Sequence, residues 1–156
     1  MSSLISKWPL SRILLLEILS DRITDRFVAR LVWERLGYES LESTEEVWVA
    51  GKDTPIDWRN TFPMAPEVIA HRKASVNLTR SIPKEYKQLL KQRLSFKGYR
   101  IGELYPRRTR RATALNWLLA WMETRGEELL EEGPLPELFS PPIDPVAGHP
   151  GDLLVQ

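Results

Sequence analysis

No cysteine occurs among the 156 residues. This excludes a disulfide scaffold, a thiolate zinc site and a thiol nucleophile, and it fits a reducing compartment. Histidine is almost as scarce. His71 lies beside Arg72 and Lys73, whose charges disfavour a bound cation, and His149 sits near the C-terminus, so a histidine-rich metal site is not available. Long apolar runs are missing too: Ile13-Leu14-Leu15-Leu16 ends at Glu17, against the roughly 20 apolar residues that a spanning helix needs. Met1 to Pro9 has neither the apolar stretch nor the small-residue cleavage site of a signal peptide. A soluble, cytoplasmic chain without membrane insertion is expected. There is no Gly-rich phosphate loop, nucleophile elbow or zincin motif. Asp53 and Asp57 flank Pro55 and read as turn residues. No catalytic residue, metal or cofactor is assigned, and a binding protein is favoured over an enzyme.

What is present is an ordinary globular composition, 42% apolar and 28% charged, enough to bury a core without covalent staples. Pro9 is placed to open a first, buried helix. Asp21 is a candidate cap for a second, running to about Leu36 with Gly37 as its stop. Arg22, Arg26 and Arg30 fall on one face of that helix among Asp25 and Glu34, the pattern of a solvated face. Val47-Trp48-Val49 reads as a strand. The prolines at 55, 63 and 66 argue against regular structure over residues 55–67. Residues 68–70 and 75–78 suggest a hairpin. Ser81 and Pro83 open a helix to about Leu94, and Pro106 opens the last, to about Arg125. Residues 133–156 hold six prolines and three glycines, a tail without enough apolar surface to fold alone, though Leu135, Leu138 and Phe139 offer it anchors. The expected architecture is α+β, mainly helical, with about four helices and a small two- or three-stranded antiparallel sheet. It forms one domain over residues 1–132, followed by a flexible or docked tail over 133–156.

The charge is unevenly placed. The net charge is +1, yet His71 to Arg111 contains 13 basic residues and two acids, Glu85 and Glu103, for a net of +11; the remainder carries −10. Such segregation hints at a polyanion or an acidic protein as partner, unless the fold brings the two halves together. The sharpest feature is Tyr105-Pro106-Arg107-Arg108-Thr109-Arg110-Arg111. With Pro106 at the first helical position, four arginines crowd a helix N-terminus, where the dipole disfavours cations. An external anion resolves the conflict, met by free N–H groups and guanidinium forks. Carboxylates folding back from within the chain, Glu42, Glu45 and Glu46 or Glu127 to Glu132, resolve it equally.

Lys84, Lys87 and Lys91 lie on one face of the preceding helix, a solvated face by default but one without interspersed acids. With Lys97 and Arg100 they extend a basic surface toward Arg107, Arg108, Arg110 and Arg111. Tyr99 and Tyr105 are nearby aromatics able to stack on bases. No RRM, KH or zinc-finger pattern accompanies them. In the last helix, Leu115, Trp117, Leu118, Leu119, Trp121 and Met122 form an apolar stripe expected in the core. Thr109, Thr113, Asn116 and Glu123 form its polar side.

Three stretches carry a resemblance: Gly51-Lys52-Asp53-Thr54-Pro55-Ile56-Asp57-Trp58-Arg59, Leu78-Thr79-Arg80-Ser81-Ile82-Pro83-Lys84-Glu85-Tyr86-Lys87, and Glu103-Leu104-Tyr105-Pro106-Arg107-Arg108-Thr109-Arg110-Arg111-Ala112-Thr113. The chain resembles a small uncharacterised family of cyanobacteria with relatives in plant plastids, over roughly residues 8 to 132. The resemblance implies the photosynthetic lineage and a cytoplasmic or stromal place, and carries no activity with it. The leading expectation is a non-catalytic binding or regulatory domain whose Arg-rich surface engages an anionic macromolecule, RNA or an acidic protein face. Two alternatives stand beside it. One is a protein adaptor or assembly factor using the tryptophans and the tail. The other is an enzyme clamping a phosphorylated or carboxylated metabolite with its arginines.

Overall fold

The structure is a computed structural model that describes residues 7–41 and 44–156, without the side chains of residues 44–46. Its regular elements run α1 (Arg12–Leu19), α2 (Asp25–Leu36), β1 (Glu39–Leu41), β2 (Thr44–Val49), α3 (Ile56–Thr61), α4 (Arg72–Ser81), α5 (Leu89–Leu94) and α6 (Pro106–Thr124), with 3-10 turns at Lys84–Tyr86 and Ile101–Glu103. The protein is α+β and mostly helical. The expected helix count of about four is corrected to six α-helices among the described residues.

The extra helices have physical causes. Residues 68–81 do not form a hairpin. Ala74, Ser75 and Leu78 are buried from α4, and positions i, i+1 and i+4 share a helical face, so one turn of helix buries what an alternating strand would not. In the Pro-rich stretch, Pro55 stands before the first turn of α3 and therefore permits it, and Trp58 buries the short helix against the core. The helix expected from Pro83 to Leu94 is divided into a 3-10 turn and α5. The sheet is the two-stranded antiparallel pair β1–β2, with Ser40 opposite Trp48.

Caps fix the helices around the site. Ser11 Oγ accepts from Leu14 N at 3.1 Å at the start of α1. Thr24, not Asp21, caps α2, accepting from Phe27 N at 3.2 Å. Gly37 ends α2 in the left-handed region at φ +85°, where a Cβ would lie 3.0 Å from Asp53 C and Thr54 N. Pro106 opens α6 as the sequence suggests.

α6 is the central strut and packs against α1, α2, α4 and α5. Leu115 and Leu118 from α6 meet Leu14, Leu15 and Ile18 of α1, Val28 and Leu31 of α2, and Leu78 of α4 in one core. The chain after α6 returns to α1, where Leu130 O and Glu131 O accept from Arg12 N and Ile13 N. The tail then runs back over the body: Phe139 N donates to Arg22 O, and Gln156 N to Ala70 O. Among the described residues no helix is long and apolar enough to cross a membrane.

Candidate functional site

The four arginines at the start of α6 separate by helical position. Arg107 and Arg111, one turn apart, point inward and are each 1% exposed. Arg107 grips Asp21 through two parallel bonds, Nη1 to Oδ2 at 2.7 Å and Nη2 to Oδ1 at 2.8 Å, and its Nε donates to Asp25 Oδ2 at 2.9 Å. Arg111 donates to Asp25 Oδ1 at 2.6 Å and to the Ile18 carbonyl at 2.8 Å. Two guanidiniums and two carboxylates thus close a cluster between the end of α1, the start of α2 and the start of α6. Planar forks suit this because each guanidinium satisfies several acceptors at once.

The tail adds a third carboxylate. Asp152 accepts from the backbone N–H groups of Asp25 (3.1 Å), Arg26 (3.3 Å) and its own neighbour His149 (3.1 Å), and lies 3.9 Å from Arg107 Nη2. His149 is buried beside it, with Nδ1 3.4 Å from Arg107 Nη2. Burial pushes the Asp21 carboxyl up, but the Arg107 hydrogen bonds and the charges of Arg111 and Arg107 outweigh it, and the group titrates below its ordinary value. At Asp25 burial wins: Arg111 and Arg107 pull down, Asp152 pushes up, and the group titrates above its ordinary value. Burial alone would lower Arg107, yet the Asp21 and Asp25 contacts raise it further above the ordinary arginine range. Among the described residues no group of His, Asp and Glu side chains is spaced to hold a metal ion.

Arg107 and Arg111 are therefore not part of a basic surface. The conflict between four arginines and the helix dipole is resolved inside the chain, by Asp21, Asp25 and Asp152. Of the other suggested counter-ions, none of Glu127 to Glu132 pairs with these arginines among the described contacts. The side chains of Glu42, Glu45 and Glu46 lie outside the described residues, and Glu131 pairs loosely with Arg12 at 3.9 Å.

The other two arginines stay near the surface. Arg110 donates to the carbonyls of Ile69, Ala70 and Gln156 at 2.8–3.1 Å. Partial burial, and then the charge of Arg72, lower its basicity. Arg108 lies over the rings of Tyr105 (5.3 Å) and Tyr99 (5.9 Å), with Glu103 at 3.9 Å. Tyr99 packs edge-on against Phe96 at 5.0 Å, and burial raises its phenol.

The lysines fall together. Lys87, Lys91 and Lys97 line an open groove of about 400 Å³ between the end of α4, α5, the following connector and α6, floored by Phe96, Ala112 and Asn116. Lys84 and Arg100 are exposed nearby in sequence, on the 3-10 turn before α5 and on the connector. Lys87 Nζ donates to the Thr79 carbonyl at 2.6 Å. Among the described residues, four of the 13 basic residues between 71 and 111 reach a carboxylate: Arg93 with Glu123, Arg108 with Glu103, and the buried Arg107 and Arg111. Among the described residues no carboxylate lines the groove.

Asn116, which periodicity puts on the polar side of α6, is buried and holds the groove's wall. Its Nδ2 donates to Tyr86 O at 2.8 Å and its Oδ1 accepts from Leu90 N at 3.1 Å. These two bonds clamp the break between the 3-10 turn and α5 onto α6. Sequence reasoning missed this role, and also missed Asp21, Asp25, Asp152 and His149. One signal was present: Asp21 and Asp25 are four residues apart, as are Arg107 and Arg111.

The chain belongs to the family described as a domain of unknown function (DUF1823), which matches residues 9–123. The buried cluster's Asp21, Asp25, Arg107 and Arg111 lie within that span, and Asp152 and His149 beyond it. A solved structure, described as a solution NMR structure of the protein, is 43% identical, with a TM-score of 0.63; the match covers 81% of this chain and 100% of that one. No curated protein matches the chain.

Proposed function

We propose that the protein is a non-catalytic binding domain whose lysine-lined groove engages the phosphate backbone of a single-stranded RNA. The observation that carries this reading is the groove itself: Lys87, Lys91 and Lys97 line a concave surface without a carboxylate among the described residues of its lining. Cations left without counter-ions repel one another, and a polyanion relieves that cost while releasing its own condensed ions. Phe96 in the floor, with Tyr99 against it, supplies the aromatic component that single-strand binders combine with charge. Lys84, Arg100 and Arg108 extend the surface, with Tyr105 under Arg108. Arg107 and Arg111 act here as the brace that fixes α6, not as contacts. A cytoplasmic or stromal place, and an origin in the photosynthetic lineage, belong to the same proposal.

The test is a pair of titrations of the full chain, one with labelled single-stranded RNA and one with an acidic peptide of equal charge, at low and moderate salt. RNA binding that weakens with salt supports the reading. Binding of the peptide without binding of RNA overturns it in favour of an acidic protein partner.

A further inference from the structure

The body of the protein contains a built seat for a carboxylate, and the seat's occupant comes from the tail. The first N–H groups of the 12-residue helix α2, on Asp25 and Arg26, aim at Asp152, whose side chain is 1% exposed. Arg107 adds a charge at 3.9 Å and also donates to the Pro145 carbonyl at 3.3 Å. The lug that enters the seat is locally folded. Asp144 Oδ1 accepts from Val146 N, Asp144 O accepts from Ala147 N and Gly148 N, and His149 O accepts from Asp152 N. Gly148 sits directly on the Arg107 guanidinium at φ +83°; a Cβ there would lie 2.8 Å from Nε. The fit is steric and electrostatic together.

Two observations set this lug apart from the body. Asp21 and Asp25 already balance Arg107 and Arg111, so Asp152 brings one carboxylate more than the paired guanidiniums neutralise. His149 Nε2 is buried without a hydrogen-bond partner, which docking of the tail costs and its release recovers. The residues that build the seat lie inside the family match, and the lug lies outside it. None of the groove lysines takes part.

From this we infer that the seat formed by the α2 N-terminus and Arg107 is a peptide-binding site for a Gly-turn segment bearing an aspartate. Residues 139–156 are its internal ligand, exchangeable for the same segment of a second copy. The Pro-rich stretch 133–138 anchors the tail to the body, with Pro134 O accepting from Trp8 Nε1 at 3.1 Å and Leu135 and Leu138 packed on the core, and the lug beyond this anchor is the piece that exchanges in trans.

The experiment uses the full chain, wild type, Asp152→Asn and Gly148→Ala, with a fluorescent peptide of residues 139–156. Both variants weaken the internal lug, one by removing the charge and one by blocking the approach to Arg107. The free peptide is expected to bind each variant at least about ten-fold more tightly than it binds wild type, and a peptide carrying Asn in place of Asp152 at least about ten-fold more weakly than the native peptide, as losing a buried charge contact implies. Amide exchange at Asp25 and Arg26 should speed up in the variants and slow again when the native peptide is added. Sedimentation at rising concentration distinguishes the source: a dimer that the peptide dissociates marks exchange between copies, and a monomer throughout marks occupation in cis with the seat open to added peptide. Equal affinity for wild type and variants, equal affinity of the two peptides, or no binding to either variant overturns the inference.

Discussion

Arg107 Nη1 and Nη2 hold the two oxygens of Asp21 at 2.7 and 2.8 Å, joining residues 86 positions apart. That contact ties the turn between α1 and α2 to the first turn of α6, and with Arg111 and Asp25 it decides which arginines remain available to a partner. Removing one side of such a buried pair leaves an uncompensated charge. Arg107→Ala should cost about 3–5 kcal/mol in urea denaturation, whereas Arg108→Ala, at a partly exposed pair, should cost under about 1 kcal/mol. Equal losses would contradict the division between brace and surface.

The same cluster predicts a split in acid titration. Asp21, held below its ordinary value mainly by Arg107 and Arg111 against burial, contributes stability that is complete above pH 3.8 and is lost as the pH falls through its depressed value. Asp25, raised chiefly by burial, works in the opposite sense: its contribution is complete below 3.8 and is lost as the pH rises through its raised value. Carboxyl NMR titration should therefore find Asp25 above and Asp21 below 3.8. An Asp152→Asn variant should bring Asp25 downward, since Asp152 is one of the charges that raise it.

Asn116→Leu should loosen the groove without emptying the core. It leaves Tyr86 O and Leu90 N without their partners, at a cost of about 1–3 kcal/mol for each group left dry. The loss should appear as faster amide exchange in α5 than in α1 or α2, and as weaker RNA binding.

Gly37→Ala tests the end of α2. At φ +85°, a side chain meets the left-handed penalty of about 1–2 kcal/mol, and its Cβ would lie 3.0 Å from Asp53 C and Thr54 N. Thermal unfolding should show a clear loss of stability, larger than that from Gly102→Ala, where nothing stands within 4 Å.

Local signals carried the parts of the fold that depend on neighbours in sequence. Pro106 and Gly37 mark helix ends because each restricts or frees its own backbone. α4 was not legible as a helix because Val76 and Leu78 fit an alternating pattern as well as a helical one, and only Ala74 and Ser75 facing the core decide between them. The arginine turn shows the limit for the site. The sequence exposes a clash between charge and helix dipole but not its remedy, because Asp21 and Asp152 reach Arg107 across 86 and 45 positions, a distance no periodicity spans. The lysines were legible as a group because they share one short stretch around α5.

The proposed function rests on Lys84 and the groove lysines Lys87, Lys91 and Lys97, and not on the buried Arg107 and Arg111. The direct measurement is the salt dependence of single-stranded RNA affinity for wild type and for a chain with Lys84, Lys87, Lys91 and Lys97 changed to Gln. The four lysines, one phosphate contact each, predict a contribution of about −2.8 to the wild-type slope of log affinity against log salt, and a slope shallower by that amount in the variant, with the fold intact by circular dichroism. A variant that keeps the wild-type slope, or a wild-type affinity indifferent to salt, would contradict the account.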